Sequence, residues 1–320
     1  MPNILLTNYC NRNCPYCFAK ARVKLGTASG QWEMSPEELE TVLKYLGPGR
    51  GLVSLLGGEP TLHSRYPDIV RSLAERGYDM KLFTNGTTPE LRRSLPPASR
   101  GLFTIILNLN HPDTYTSQEW AQIEANCRCL GGRLGLSFNV FTTPVSWEYL
   151  REAIVTWKLS SVIRIGLAQP IHGTPNTFLT EAQMDEACQA LVAMAEAVAR
   201  DGISLGFDCG FRLCMFSPEQ RGTLAECGTR FLFDCKPILD IGPELAVWRC
   251  FPFSNEPPVK LTDFGSLRQI EEHFDRRWGP EQARGNTPSC GSCHNRRTGT
   301  CRGGCLSRTV SLSRGGDGHA

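Results

Sequence analysis

The sequence lacks the features that would direct it to a membrane, to export or to nucleic acid. No run of about 18 apolar residues is available to span a bilayer, and the start MPNILLTNYC lacks the basic segment and the long apolar core of a signal peptide. The 34 basic and 32 acidic side chains leave a formal charge of +2, so no broad charged surface is expected for nucleic acid or an anionic membrane. We therefore expect a cytoplasmic protein whose partners include neither a membrane nor a nucleic acid.

Cysteine, in contrast, is abundant, with 15 residues in a chain of 320. In a small secreted chain this number would indicate disulfides. In a long chain without an export signal, clustered thiols more often bind metal or act in redox chemistry. Metal binding is therefore the first hypothesis for these cysteines.

Six apolar, β-rich runs alternate with helical patterns through the first two thirds of the chain. They are apolar throughout, as expected for parallel strands covered on both faces, and the spacers between them are long enough for crossover helices. Helix-capping patterns start two of these helices, at 35–38 and at 180–183. We predict an α/β fold in which residues 1–202 form a partial (β/α)6 barrel, with its active face at the carboxyl ends of the strands. The six runs are NILLT at 3–7, LVSLL at 52–56, MKLFT at 80–84, LFTIILNL at 102–109, LGLSFNV at 134–140 and SVIRIGLA at 161–168.

The chain changes character after Gly202, where glycine, proline and cysteine become frequent. Only short helical stretches, such as 262–274, are predicted there. Nine of the 15 cysteines lie in this part, which suggests that inorganic clusters replace part of an apolar core. We predict a small irregular cysteine-rich C-terminal domain at 203–310 and a disordered tail at 311–320.

The first cysteine motif, CNRNCPYC at 10–17, comes directly after the first predicted strand. Its thiolates, Cys10, Cys14 and Cys17, can hold three irons of a [4Fe-4S] cluster and leave the fourth iron open. A structural zinc ion normally takes a closed set of four ligands. The alternative is a loop of unrelated or zinc-binding thiols.

This motif resembles the CxxxCxxC motif of the radical S-adenosylmethionine (SAM) superfamily, with an aromatic residue, Tyr16, before the last cysteine. In that family the open iron chelates the amino and carboxylate groups of SAM. An electron from the cluster then breaks a sulfur–carbon bond, and the resulting 5'-deoxyadenosyl radical abstracts hydrogen from a substrate. The resemblance implies a [4Fe-4S] cluster with an open iron site, SAM as cofactor and the same chemistry here.

Other residues at predicted strand ends match positions where the family contacts SAM. Residues 57–60 resemble the family's GGEP motif, whose backbone and carboxylate hold the SAM amino group, and residues 84–86 resemble its TNG turn. Strand-end amides and a cation in the sixth run could reach the ribose or the carboxylate of SAM. The alternatives are local backbone hydrogen bonds for the amides and a structural ion pair for the cation. The cofactor-binding candidates are Tyr16, Gly57, Gly58, Glu59, Pro60, Asn85, Asn108, Asn139 and Arg164.

The C-terminal cysteines resemble the SPASM type of radical SAM extension, in which a cysteine pair precedes CxxCx5CxxxC. Here Cys235 and Cys250 precede the run CGSCHNRRTGTCRGGC at 290–305. The central gap is seven residues instead of five, and Leu245 stands where glycine is expected. No cysteine follows Cys305 to complete the second auxiliary cluster, as one usually does in the family.

We assign eight thiolates to two auxiliary [4Fe-4S] clusters, with two upstream cysteines as substitutes for the missing ligand. By analogy, Cys214 would join Cys235, Cys250 and Cys305, and Cys209 would join the other three. Cys227 is a rival ligand for either cluster. A single twitch-like cluster and a zinc ribbon are the alternatives. The eight thiolates are Cys209, Cys214, Cys235, Cys250, Cys290, Cys293, Cys301 and Cys305.

The resemblance implies oxidative radical chemistry, because auxiliary clusters can accept an electron. Extensions of this type occur most often in peptide-modifying enzymes, so we expect oxidative modification of a ribosomally made peptide, as a crosslink, a thioether or a residue oxidation. The alternatives are a dehydrogenase of a small-molecule alcohol or amine and a non-enzymatic zinc-binding interaction module. For a catalytic base, Asp208, Asp234 and Asp240 lie beside predicted ligands.

Two kinds of protein partner are also expected. The electron donor would be a flavodoxin or a ferredoxin. Because the first predicted strand begins at residue 3, a peptide substrate would be recognised by a separate peptide-recognition protein or by the C-terminal region.

Overall fold

Strands and helices alternate through most of the chain in a computed structural model that describes residues 2–25, 32–47, 51–95 and 103–313. The strands are β1 (Asn3–Leu5), β2 (Tyr9–Cys10), β3 (Lys24–Leu25), β4 (Leu52–Leu56), β5 (Asp79–Thr84), β6 (Phe103–Asn108), β7 (Leu134–Val140), β8 (Val162–Leu167), β9 (Ser204–Phe207), β10 (Leu239–Ile241), β11 (Ala246–Arg249) and β12 (Val259–Lys260). The helices are α1 (Pro36–Leu46), α2 (Tyr66–Glu75), α3 (Glu90–Arg93), α4 (Ser117–Leu130), α5 (Glu148–Trp157), α6 (Met184–Ala199), α7 (Pro218–Glu226), α8 (Leu267–Gln282), α9 (His294–Arg297) and α10 (Leu306–Ser313).

The main sheet has the strand order β12-β11-β10-β1-β4-β5-β6-β7-β8-β9. From β10 to β9 all neighbours are parallel, whereas β11 and β12 are antiparallel to the strands beside them. The six predicted strands are β1 and β4 to β8, and they lie side by side in chain order. This confirms the predicted α/β fold with a partial barrel and a cysteine-rich C-terminus.

Local sequence explains the helices that cover the sheet. At α1 the Ser35 Oγ accepts from the Glu38 N–H at 3.2 Å, and the Glu38 carboxylate accepts from the Ser35 N–H at 2.7 Å. This reciprocal pair satisfies two of the orphan donors of the first turn. A second capping box, at Thr180, precedes α6. Both predicted helix starts are confirmed.

The chain after Gly202 is more regular than predicted. The strand β9 continues the parallel sheet beside β8, and β10 joins its other edge beside β1. Helix α8 runs over 16 residues, so the expectation of only short helical stretches is wrong. The new strands have two to four residues each, which is too short for a periodic pattern to reveal. The division at 202/203 stays a prediction. Residues 311–313 end α10, and the rest of the predicted tail lies outside the described residues.

The parallel arrangement brings the predicted motifs to one edge of the sheet. Because the carboxyl ends of parallel strands point the same way, the loops after β1, β4, β5, β6, β7 and β8 converge. The same edge receives 208–209, which follow β9. Within the described ranges, no helix has both the length and the apolar character needed to cross a bilayer.

Candidate active site

The loop at 57–60 is packed tightly against the start of the first cysteine motif. A Cβ on Gly58 would lie 2.1 Å from the carbonyl oxygen of Tyr9, and one on Gly57 would lie 2.5 Å from that of Thr7. The backbone N–H of Gly58 donates to Thr7 O at 2.8 Å, and that of Glu59 donates to Tyr9 O at 2.6 Å. Glycine is therefore required for the two backbones to meet. Pro60 follows as the first residue of a 3-10 turn.

Glu59 is fully buried and holds two loops together. Its Oε1 accepts from the backbone N–H and the hydroxyl of Thr61, at 3.2 and 2.6 Å, and from the Thr84 hydroxyl at 2.7 Å. Its Oε2 accepts from the Asn85 N–H at 2.6 Å. Burial raises the pKa of Glu59, and these four hydrogen bonds oppose that shift. A carboxylate has about four acceptor positions, so Glu59 positions the Asn85 turn and has little capacity left for the amino group of SAM.

The three thiols of the motif lie close enough to interact electrostatically. Burial raises the pKa of Cys10 to about 12 and that of Cys17 to about 11, so both are protonated at neutral pH without a cation. N–H donors point at the sulfurs, with Arg12 N 3.4 Å and Asn85 Nδ2 3.9 Å from Cys10 Sγ and with Asn110 Nδ2 3.8 Å from Cys14 Sγ. Metal binding would deprotonate the thiols, and these donors would then stabilise thiolates.

A chain of hydrogen bonds ends at Cys14, and all its donors point the same way. Asn139 Nδ2 donates to Asn108 Oδ1 at 2.7 Å, and Asn108 Nδ2 donates to the Tyr16 hydroxyl at 2.7 Å. The Tyr16 hydroxyl donates to Asn110 Oδ1, and Asn110 reaches Cys14. We call Asn139, Asn108, Tyr16 and Asn110 the amide chain. The structure thus brings three predicted residues together and adds Asn110, two positions after Asn108 at the end of β6.

A cavity of about 400 Å³ opens beside Cys14 and the amide chain. Its walls come from the first cysteine loop and from the loops after β6 and β7. The rings of Tyr16 and Phe141 lie 4.7 Å apart between centroids, and Asn110, Asn139 and Thr142 supply polar groups to the wall. Aromatic surface with a few amides suits a nucleoside base. Sequence patterns gave no indication of Phe141.

The Arg164 side chain is already paired with protein groups and is not directed at a SAM carboxylate. It forms an ion pair with Asp208, donates to Ser137 Oγ at 3.3 Å and lies 5.2 Å from the ring centroid of Phe83. The open alternative of a structural ion pair is therefore the one observed. The pairing has a clear origin, because Arg164 lies opposite Gly206 in the β8–β9 ladder and Asp208 follows two residues later.

The other two candidate bases are also engaged. Asp240 is buried, accepts from Asn3 Nδ2 at 2.7 Å and has its pKa raised to about 7 by burial. Asp234 pairs with Lys236 at 2.8 Å and with Arg302 at 3.1 Å. Each of the three carboxylates thus has a partner within the protein.

Four of the C-terminal thiols form one group, which we call the Cys305 set: Cys209, Cys235, Cys250 and Cys305. The first three each interact electrostatically with Cys305. The thiol of Cys235 donates a hydrogen bond to Cys305, which lowers the pKa of Cys305 to about 7, with further support from the backbone N–H groups of Ser307 and Arg308.

The other four form the Cys214 set: Cys214, Cys290, Cys293 and Cys301. They line a cavity of about 280 Å³ together with Arg212 and Arg296. The predicted assignment of Cys209 and Cys214 is therefore reversed. Only four residues separate them, but Cys209 follows β9 at the sheet edge, whereas Cys214 lies in the 3-10 turn Leu213–Met215.

Cys127, Cys188 and Cys227 lie outside the two C-terminal sets and the first motif. Cys227 ends α7, and the charged groups that shift its pKa are Glu196 and Glu226, not a member of either set. Cys127 is buried on α4 and Cys188 is buried on α6. Within the described ranges, no three His, Cys, Asp or Glu side chains are arranged as a ready-made site for a single metal ion.

Residues 4–155 match the family described as the radical SAM superfamily. This segment is a radical SAM domain. The matched segment runs from β1 into α5 and contains the first cysteine motif, the 57–60 loop, the Asn85 turn and the amide chain.

Among curated proteins, sequence similarity extends over part of the chain. A probable GTP 3',8-cyclase of Pyrococcus abyssi is 38% identical over 86 residues, which are 27% of this chain and 26% of that protein. The match therefore spans about a quarter of the length of that relative.

Solved structures resemble nearly the whole chain. SuiB of Streptococcus suis bound to the precursor peptide SuiA has a TM-score of 0.67 at 16% identity, over 96% of this chain and 72% of SuiB. The same enzyme bound to S-adenosylmethionine gives 0.64 at 15% identity, over 96% and 73%. The structure of anSMEcpe with bound AdoMet gives 0.63 at 15% identity, over 95% and 86%. These likenesses show a shared fold through the radical SAM part and the cysteine-rich part.

The residues present fit the groups that a radical SAM domain implies. Three thiols belong to one motif, N–H donors point at the sulfurs of Cys10 and Cys14, and Cys14 lines a cavity with aromatic and amide walls. Three thiolate ligands suit a [4Fe-4S] cluster with an open iron, and the cavity suits an adenosine group.

Proposed function

We propose that the chain binds a [4Fe-4S] cluster through Cys10, Cys14 and Cys17 and cleaves SAM reductively. The observation that carries this is the grouping of the three thiols, with amide donors at the sulfurs of Cys10 and Cys14 and with Cys14 in the wall of the 400 Å³ cavity. When bound, the cluster supplies the electron that breaks SAM into methionine and a 5'-deoxyadenosyl radical, which takes a hydrogen atom from the substrate.

The residues around the cavity divide the remaining tasks. Tyr16 and Phe141 offer ring surface to the adenine, and the amide chain offers polar groups to the ribose. Glu59 fixes the Asn85 turn against the cysteine loop. The Arg164–Asp208 pair lies beside the Cys305 set, because Asp208 directly precedes Cys209 and both charged groups interact electrostatically with its thiol.

We also propose that the Cys305 set and the Cys214 set each hold an auxiliary [4Fe-4S] cluster. Support comes from the sorting of eight thiols into two groups of four, which is the ligand number of a closed cluster. The two clusters would accept the electron that the substrate radical loses as it becomes the oxidised product. A flavodoxin or ferredoxin would deliver the electron that is used in SAM cleavage. The substrate would lose one hydrogen atom to the 5'-deoxyadenosyl radical and one electron to the auxiliary clusters, which together make a two-electron oxidation.

The proposed substrate is a ribosomally made peptide. Support comes from SuiB, whose structure holds a precursor peptide and whose fold extends over 96% of this chain. A small molecule is the second candidate, because a curated relative is named for GTP chemistry.

The two substrate classes are distinguished by deuterium transfer. Cells that make the protein are grown in deuterated medium, and their low-molecular-weight extract is given to the enzyme with SAM and reductant. The untreated extract and a portion treated with a nonspecific protease are compared. Deuterium that enters 5'-deoxyadenosine from the untreated extract but not from the treated one supports a peptide substrate. Deuterium transfer that survives the protease contradicts the peptide and supports a small molecule.

Iron and sulfide analysis tests the cluster proposal. The reconstituted chain should hold about twelve irons, and a Cys10/Cys14/Cys17→Ala variant about eight. The matched control is Cys129→Ala, at an exposed cysteine on α4, which should keep the full number. Zinc without iron in the C-terminal sets would contradict the auxiliary clusters.

A further inference from the structure

Two buried arginines share one carboxylate close to both C-terminal cysteine sets. Arg212 donates from Nη1 and Nη2 to the Glu181 carboxylate at 3.2 and 2.7 Å, and Arg308 donates from Nη1 to the same group at 3.3 Å. The arginine side chains are 6% and 7% exposed, whereas that of Glu181 is 50% exposed. We call these three residues the arginine bridge.

Each end of the arginine bridge reaches a different cysteine set. Arg212 lines the 280 Å³ cavity and interacts electrostatically with Cys214 and Cys290. Arg308 follows Cys305 by three residues and interacts electrostatically with its thiol. The bridge therefore connects the Cys214 set to the Cys305 set.

The two arginines differ in how far the protein satisfies them. Arg308 is also held by Gln169 Oε1 at 3.2 Å and by the Leu179 carbonyl at 2.7 Å, so all three of its nitrogens have an acceptor. In contrast, Nε of Arg212 is buried and has no hydrogen-bond partner among the described residues. A buried N–H without an acceptor is costly, which indicates that this guanidinium has a partner that is not a protein group.

The charge of the bridge points to the same kind of partner. Two guanidinium groups and one carboxylate leave one excess positive charge, and the positive groups are the buried ones. Burying excess charge is unfavourable unless an anion lies beside it. A [4Fe-4S] cluster with four thiolates is anionic, and the cavity that Arg212 lines carries four thiols.

We propose that Arg212 donates from Nε to a sulfur of the cluster in the Cys214 set and raises the reduction potential of that cluster. This inference rests on the proposed auxiliary clusters. Glu181 and Arg308 act as positioning residues, because they fix the Arg212 guanidinium and balance its charge. A hydrogen bond and a positive charge both stabilise the reduced form, which carries one more negative charge.

The test is a potentiometric titration of the auxiliary clusters, followed by EPR, in a Cys10/Cys14/Cys17→Ala background. In Arg212→Gln the ratio of reduced to oxidised cluster at a fixed potential should fall about tenfold for one of the two clusters, a shift of about 59 mV. In Arg212→Lys, which keeps the charge but lacks Nε, the ratio of reduced to oxidised cluster should fall by less than tenfold. Glu181→Gln removes negative charge beside both sets and should shift the potentials in the opposite direction. Because Glu181 is half exposed, this variant serves if Arg212→Gln fails to fold.

The matched control is Arg302→Gln, which removes a cation one residue from Cys301. Its side chain is 57% exposed and paired with Asp234, so solvent should screen the change and leave the potentials unaltered. The inference would be overturned if Arg212→Gln and Glu181→Gln both hold about eight irons and both have unchanged cluster potentials. That result would still support the proposed auxiliary clusters. Absence of the eight irons from the background protein would overturn the proposed clusters themselves.

Discussion

Single polar side chains around the first cysteine loop mainly hold one another in place. The Glu59 carboxylate fixes the Asn85 turn, and the amide chain runs from Asn139 to Cys14. In such a chain each donor polarises the next, so the last N–H is strengthened. An N–H directed at a sulfur ligand stabilises added negative charge and raises the reduction potential.

We expect Asn110→Ala to lower the potential of the cluster at Cys10, Cys14 and Cys17. The lost N–H···S bond contributes about 1 kcal/mol, which corresponds to about a fivefold lower ratio of reduced to oxidised cluster. EPR-monitored titration measures this ratio. The control is Asn13→Ala. Asn13 lies in the same loop and lines the same cavity, but it is exposed. Equal potentials in the two variants would show that the amide chain has no electronic effect.

Among the structural elements, the contact between the 57–60 loop and β2 is the tightest at the site. We expect Gly58→Ala to remove about four irons, because its Cβ overlaps the backbone of Tyr9 and no side-chain rotation relieves this. The control is Gly222→Ala in α7, where a Cβ meets nothing within 4 Å. This change should keep all iron and stabilise the helix by about 0.5–1 kcal/mol. Full iron content in Gly58→Ala would contradict the packing described for this loop.

The assignment of the 209 and 214 positions is tested by pairing cysteine variants. Cys209→Ala with Cys235→Ala affects one set, so about eight irons should remain, whereas Cys209→Ala with Cys293→Ala affects both sets and should leave about four. The assignment predicted from the sequence gives the opposite order. Iron analysis after anaerobic reconstitution distinguishes the two, and Cys227→Ala should change neither count.

At the scale of the whole molecule, the features predicted from the sequence are those that depend on residues close together in the chain. The strands β1 and β4 to β8 came from apolar runs, and two helix starts came from capping boxes. Strands β9 to β12 have two to four residues each, too few for a periodic pattern, and the pairing of β10 with β1, as of Asp240 with Asn3, joins opposite ends of the chain. The Arg164–Asp208 pair depends on the β8–β9 register, and the arginine bridge joins residues 31 and 127 positions apart. These contacts could be known only from the fold.

Reductive cleavage of SAM is proposed to depend on three thiols of the radical SAM domain, Cys10, Cys14 and Cys17. The direct measurement is 5'-deoxyadenosine formed from SAM and dithionite, determined chromatographically for the wild-type chain, the Cys10/Cys14/Cys17→Ala variant and the Cys129→Ala control. We expect product from the wild type and from the control, and none from the triple variant. No product from a wild-type chain that holds its iron, or equal product from the triple variant, would contradict SAM cleavage at these three thiols.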